Sequence, residues 1–217
     1  MGKEVDLLRS IPRTKRNLSQ RSEARNPEII AESKKFGHLY FDGPRDYGYG
    51  GYRYDGRWMP VARDVIRHFD LHPGDRVLDV GAAKGFLVKE LLELGIDAYG
   101  VDISEYAVMN CHPDVVGRMH LASADHLLFP DGSFSAVLAI DVVHNLPRER
   151  AIVALHEVQR LSGGRGFVRV DSYRTPQEKQ IFEGWVLTAE YHGYPEEWLK
   201  LFSDAGYSGD YSWTIIQ

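Results

Sequence analysis

Along residues 75–102 the pattern of apolar and polar positions changes period twice. Val77 to Val80 is a short apolar run, broken by Asp79 and closed by Gly81, which reads as a buried parallel strand. Behind a turn bracketed by Gly81 and Gly85, the residues Phe86, Leu87, Leu91 and Leu94 recur at helical spacing and predict a helix that packs back on the sheet. Ala98 to Val101 forms a second apolar run and ends in Asp102, 21 positions after Gly81. Strand, glycine turn, helix, strand and acid follow in the order of a nucleotide-binding unit, whose ribose-binding acid stands about 20 residues past the first glycine.

The same reading extends in both directions. Trp58 to Phe69 predicts a helix with Pro60 in its first turn, leading to the turn His72-Pro73-Gly74. Ser104 caps a helix that runs to about Cys111 and is stopped by His112-Pro113. A weak strand covers Met119 to Leu121 and a stronger apolar run covers Ala136 to Ile140. Arg148 to Leu161 is an amphipathic helix ended by Ser162-Gly163-Gly164, with a strand from Gly166 to Val170 behind it. Helices follow from Pro176 and from Pro195, and Tyr211 to Ile216 alternates as an edge or antiparallel strand.

Residues 36–58 break every period. Gly43, Gly48, Gly50, Gly51 and Gly56 interleave with Tyr40, Tyr47, Tyr49, Tyr52, Tyr54 and Trp58 and with Arg45, Arg53 and Arg57. Long loops inside compact domains are functional or disordered, and the aromatic content argues against disorder. This stretch is therefore read as a lid or wall of a binding site, with Tyr49, Tyr52, Arg53, Tyr54 and Arg57 as substrate contacts. Its arginines point to an anionic substrate; a loop that only packs its tyrosines on the sheet is the alternative.

Composition narrows the function without choosing it. The 217 residues, 43% hydrophobic and 26% charged, suit one α/β domain with a full core. No run reaches the ~18 apolar residues of a membrane span, and the charged start is not that of a signal peptide. A single cysteine, Cys111, suits a reducing cytoplasm and leaves no partner for a zinc site with His112. Net charge of −5 argues against nucleic acid as a partner. Residues 1–36 carry nine Lys or Arg against five Asp or Glu, which suggests a surface arm lying on its own domain or on a second copy in a homodimer.

The glycine positions discriminate between cofactors. Gly81, Ala83 and Gly85, preceded by Asp79, form a G-x-G-x-G turn with its middle glycine changed to alanine, whereas a dinucleotide fingerprint wants glycine at 83 and 86. This turn resembles the first motif of the class I S-adenosylmethionine (SAM) dependent methyltransferases. Two later landmarks resemble the same family: Asp102 ending the second strand, and Ser123-Ala124-Asp125 followed by the FPDGSF segment at 129–134 before the fourth. The resemblance implies a doubly wound Rossmann-like α/β sheet of about seven mostly parallel strands with helices on both faces, residues 59–217 as the SAM domain, and residues 1–58 as arm and cap. It also implies SAM contacts at Asp79, Gly81, Ala83, Gly85, Asp102, Ile103, Ala124, Asp125, His126 and Asp141, the last beside the fourth strand's end.

Neither the tetrad of amino-methylating nucleic-acid enzymes nor a Pro-Cys nucleophile occurs, so the resemblance is to the small-molecule branch. Within Asp141-Val142-Val143-His144-Asn145-Leu146, His144 is the first choice of general base because its ordinary pKa lies near neutrality; Asp141 and His192 are the alternatives. Asp171-Ser172-Tyr173, at the end of the next strand, offers Tyr173 as a further substrate contact. The expected activity is methyl transfer from SAM to a small polar acceptor, first to oxygen of a sugar, carboxylate or similar metabolite, with no metal. N-methylation of a small molecule or protein, a nicotinamide oxidoreductase and a non-catalytic SAM-binding module stay open.

Overall fold

A computed structural model of the chain describes residues 2–11 and 18–216. Among the described residues four α-helices come first: α1 (Leu18–Ala24), α2 (Pro27–Ser33), α3 (His38–Phe41) and α4 (Met59–Phe69). The body then runs β1 (Arg76–Val80), α5 (Phe86–Glu93), β2 (Asp97–Asp102), α6 (Glu105–Met109), β3 (Met119–Leu121) and β4 (Ala136–Ile140). It continues with α7 (Arg148–Ser162), β5 (Gly166–Ser172), α8 (Pro176–Trp185), α9 (Pro195–Asp204) and β6 (Asp210–Ile215).

The strands form one sheet in the order β3-β2-β1-β4-β5-β6, and every pairing is parallel. The expected seven strands are six among the described residues, and the tail strand is a parallel edge, not an antiparallel one. Between β5 and β6 the helices α8 and α9 carry the chain back to the starting side, which is what a parallel neighbour requires. The outer edge of β6 is met by the amino-terminal segment: Val5 N–H donates to the Tyr211 carbonyl at 2.8 Å and Tyr211 N–H to the Lys3 carbonyl at 3.0 Å. Leu7 and Leu8 are buried beside α4, so this part of the arm is packed on its own domain.

Period-2 alternation splits the core between the two faces of the sheet. Leu78 and Val80 of β1, with Val137 and Ala139 of β4, pack with Ala151, Leu155 and Val158 of α7 and with Trp198 and Phe202 of α9. Val77, Ala136 and Leu138 face the other way, onto Val61 and Val65 of α4 and Leu87 and Leu91 of α5. Strand order reverses between β1 and β4, and a crevice opens at the carboxyl ends of such a pair.

Candidate active site

The turn after β1 is built on backbone that only small residues adopt easily. Gly81 has φ of 75°, and a Cβ there would lie 1.8 Å from Val142 Cγ2, so glycine is required for both conformation and space. Ala83 holds φ of 51°, in the left-handed region, at the position where the fingerprint has glycine. Asp102 fastens this turn to the end of β2: its carboxylate accepts from Ala83 N–H at 2.7 Å and from Ser104 N–H at 2.8 Å.

A cavity of about 400 Å³ opens over these strand ends, within the ~300–1,000 Å³ of small-molecule sites. Gly81, Ala83, Asp102, Ile103, Ala124 and Asp141 of the expected cofactor set lie on its wall, and Tyr49 of the expected substrate set joins them. Asp79 lies beneath the wall, buried in β1. Its carboxyl is pushed up to about 8 by burial and by the neighbouring Asp102 charge, and burial also raises Asp102 against the backbone N–H groups of Ser104, Ala83 and Ile103. Gly85 is the N-cap of α5. Asp125 is off the wall, ion-paired to Arg150 at 2.5 Å and held down to about 2 by that partner. His126 is exposed and also off the wall.

The catalytic expectations divide. Asp141 is on the wall with φ of 57°, a strained conformation at a strand end, and its Oδ1 accepts from Thr214 Oγ1 at 2.7 Å. His144 is buried and off the wall. Its Nδ1 accepts the Asp171 backbone N–H at 3.0 Å, which puts the ring proton on Nε2, 3.3 Å from Asp171 Oδ2. With both nitrogens engaged, His144 has no lone pair to offer a bound acceptor, and the base role expected for it does not fit this geometry. His192 is off the wall too: its Nδ1 lies 3.1 Å from Tyr173 OH, in a separate cluster with Phe182. Tyr173 is buried there and faces no part of the cavity wall.

Asp141, His144 and Asp171 bring one ligand atom each within 4.8 Å of one another, the spacing of a metal site. The proton that the Asp171 amide imposes on Nε2 blocks that nitrogen as a ligand, and Arg169 stands 3.5 Å from Asp141 Oδ1. His144 and Asp171 thus hold each other beneath the strand ends, while Asp141 is held separately by Thr214.

The tyrosine and arginine segment is a wall with its arginines turned outward. Tyr40, Phe41 and Tyr49 line the cavity, and burial pushes the Tyr40 phenol up to about 12. Tyr52 stacks on Phe86 with ring centroids 4.8 Å apart, and Tyr54 OH donates to Glu90 Oε1 at 2.8 Å. Arg53 and Arg57 are exposed, and Arg57 closes on Asp55 at 2.5 Å, so the anion site expected of them is absent from the wall. Polar wall residues that sequence reasoning missed include Asn145, Glu190, Lys34, Lys35 and Arg150. Asn145 stood inside the strand-end segment already singled out; Glu190 and Lys34 carried no signal, since they meet only in space, at 2.6 Å.

Comparison with known proteins agrees with this geometry. Residues 78–169 match the family model described as a methyltransferase domain. A 2-methyl-6-phytyl-1,4-hydroquinone methyltransferase of Synechocystis is 28% identical over 64% of this chain and 50% of its own length. A demethylmenaquinone methyltransferase of Corynebacterium urealyticum is 34% identical over 51% of this chain and 46% of its own. The chain thus spans about half the length of either relative. A SAM-dependent methyltransferase from Archaeoglobus fulgidus shares the fold at a TM-score of 0.53, with 21% identity over 69% of this chain and 68% of that one.

Proposed function

We propose, given that this chain carries a methyltransferase domain of the class I SAM-dependent family, that it methylates a hydroxyl group on a flat aromatic acceptor. The observation that carries this reading is a cavity wall that holds Tyr40, Phe41 and Tyr49 as well as Asp141. Aromatic faces suit a planar ring better than a sugar. Acceptors named for the two relatives, a hydroquinone and a demethylmenaquinone, are likewise planar rings.

The residues present fit the cofactor: Asp102 offers a carboxylate on the wall for hydroxyl groups, Gly81 and Ala83 let the backbone come close, and Ile103 and Ala124 supply apolar surface. When bound, SAM supplies a methyl group made electrophilic by its sulfonium. The chain's part is to align and to take a proton. Asp141 Oδ1 is held by Thr214, while Oδ2 has no hydrogen bond among the described residues. In this reading Oδ2 accepts the acceptor's hydroxyl proton as that oxygen becomes the nucleophile. The aromatic wall excludes water, and within residues 1–58, read as arm and cap, the stretch from Phe36 to Tyr49 is the cap that brings it there. One cysteine among 217 residues supports a cytoplasmic setting; no helix of the described residues is long and apolar enough to cross a membrane.

Calorimetric titration with SAM, followed by release of S-adenosylhomocysteine over hydroxylated aromatic, sugar, carboxylate and amine acceptors, tests the proposal. Hydroxylated aromatics are expected to be turned over fastest, and Asp141→Asn to lower turnover about 10²-fold or more with SAM affinity within about threefold. Full turnover in that variant, or a preference for carboxylates, would sink it.

A further inference from the structure

Two parts of the chain bound the cavity and have to stay in register. Gly81, Ala83 and Asp102 form the side that fits the cofactor, and Tyr40, Phe41 and Tyr49 form the aromatic wall. Backbone bonds make the aromatic part a unit of its own: Tyr49 N–H donates to the Tyr40 carbonyl and Tyr52 N–H to the Phe41 carbonyl, both at 2.9 Å. Asp42 ties this unit to the cofactor turn. Its Oδ2 accepts from Lys84 Nζ at 2.5 Å and from Tyr106 OH at 2.7 Å, while its Oδ1 accepts from Tyr52 N–H at 3.2 Å.

The ion pair joins residues that stand next to the cavity wall on both sides. Asp42 follows Phe41 in the chain, and Lys84 follows Ala83, whose N–H is held by Asp102. Tyr106 stands two residues past Ser104, whose N–H the other Asp102 oxygen accepts. Across the same seam Phe41, Ala83 and Ala107 make apolar contact. Apolar contact resists separation but has no preferred direction, whereas charge-assisted hydrogen bonds fix distance and angle. Lys84 is buried and its ion pair is with Asp42, so the link is shielded from water.

We infer that Asp42 is a positioning residue that sets the aromatic wall against the cofactor turn through Lys84 and Tyr106, so that filling the cofactor site also firms the wall. This rests on the methyltransferase reading above and adds to it the group that couples its two ligand sites. Asp42 is not on the cavity wall and acts through Phe41 and Ala83. Methyl transfer needs donor and acceptor atoms in line, and a displacement of about 1 Å can cost about 10²-fold in rate.

The test compares wild type with the double variant Asp42→Leu, Lys84→Met, which removes both charges and leaves neither one buried alone. Its thermal midpoint should stay within about 4 °C of wild type, since apolar residues of similar volume replace such pairs at little loss. Amide exchange over residues 40–52 is then measured with and without S-adenosylhomocysteine. In wild type the ligand should slow exchange there at least about fivefold; the double variant should lose that slowing and, by reciprocity, bind S-adenosylhomocysteine about fivefold more weakly. Its kcat on methylhydroquinone should fall about tenfold or more, with KM within about threefold. If the double variant melts lower, Tyr106→Phe, which keeps the ion pair and removes one donor, should cut the slowing at least about twofold. Slowing that persists in the variants, or is absent from wild type, overturns the inference. Wild type that binds S-adenosylhomocysteine but leaves methylhydroquinone unmethylated counts against the aromatic acceptor, and the exchange readout still decides the role of Asp42. Failure of wild type to bind S-adenosylhomocysteine overturns the methyltransferase reading and this inference with it.

Discussion

At the scale of single residues, two buried acids carry opposite burdens. Asp102 holds Ala83 N–H and Ser104 N–H as well as facing the cavity. Asp102→Ala should therefore weaken SAM binding at least about tenfold and also lower stability by about 1–3 kcal/mol, because two buried donors lose their acceptor. Calorimetry and urea unfolding separate the two effects; unchanged affinity would remove Asp102 from the cofactor site. Asp79 has no such donors among the described residues, and burial beside Asp102 lifts its carboxyl to about 8. The folded protein keeps that proton to higher pH than the unfolded chain, where an aspartate titrates near about 4. Its stabilising effect is full below about pH 4 and is lost as pH rises through about 8. Asp79→Asn, which is neutral throughout, should match wild type near pH 4 and gain on it by up to about 1.4 kcal/mol per pH unit above that. Unfolding at pH 4, 6 and 8 without cofactor measures the gap, and parallel stability curves would rule the effect out.

At the scale of elements, the glycine-rich segment before α4 is held to α5 by more than apolar contact. Tyr54 OH reaches Glu90, a fully buried acid, and Lys89 Nζ lies 2.9 Å from the same hydroxyl. Tyr54→Phe removes the donor and leaves a buried carboxylate oxygen without it, at a cost of about 1–3 kcal/mol. Amide exchange over 49–56 should quicken in that variant while β1 and β4 stay protected. If the segment is a lid, its amides in wild type should slow further when SAM and acceptor bind; equal protection in both states would make it a fixed wall. Tyr52 stacked on Phe86 and the backbone bond from Tyr49 N–H to the Tyr40 carbonyl, at 2.9 Å, already give the segment structure without ligand.

For the whole molecule, the amino-terminal segment closes what the sheet leaves open. Residues 3–5 bond to β6 along its free edge, and Leu7 and Leu8 fill the core between the arm and α4. Burying two leucines is worth about 3–6 kcal/mol, so the double change Leu7→Ala and Leu8→Ala should lower stability by more than about 3 kcal/mol in urea unfolding. It should also raise association at high concentration, since a bare parallel edge is a template for pairing. A loss under about 1 kcal/mol would show that the arm rests on the surface.

The β1–α5–β2 unit, the turn at Gly81 and the acids at 79 and 102 were legible in the sequence alone, because hydrophobic period and glycine conformation are local properties that neighbours along the chain dictate. The same holds for the order of strands and helices that makes the sheet doubly wound. Tertiary structure alone decided which polar groups face the cavity. Asp141 and His144 stand three residues apart, yet one lines the wall and the other is locked beneath it by an amide 27 residues away. Lys34 met Glu190 across 156 residues of chain. Pairing, tautomer and exposure depend on groups that folding brings together from distant positions, and a one-dimensional period carries no record of them.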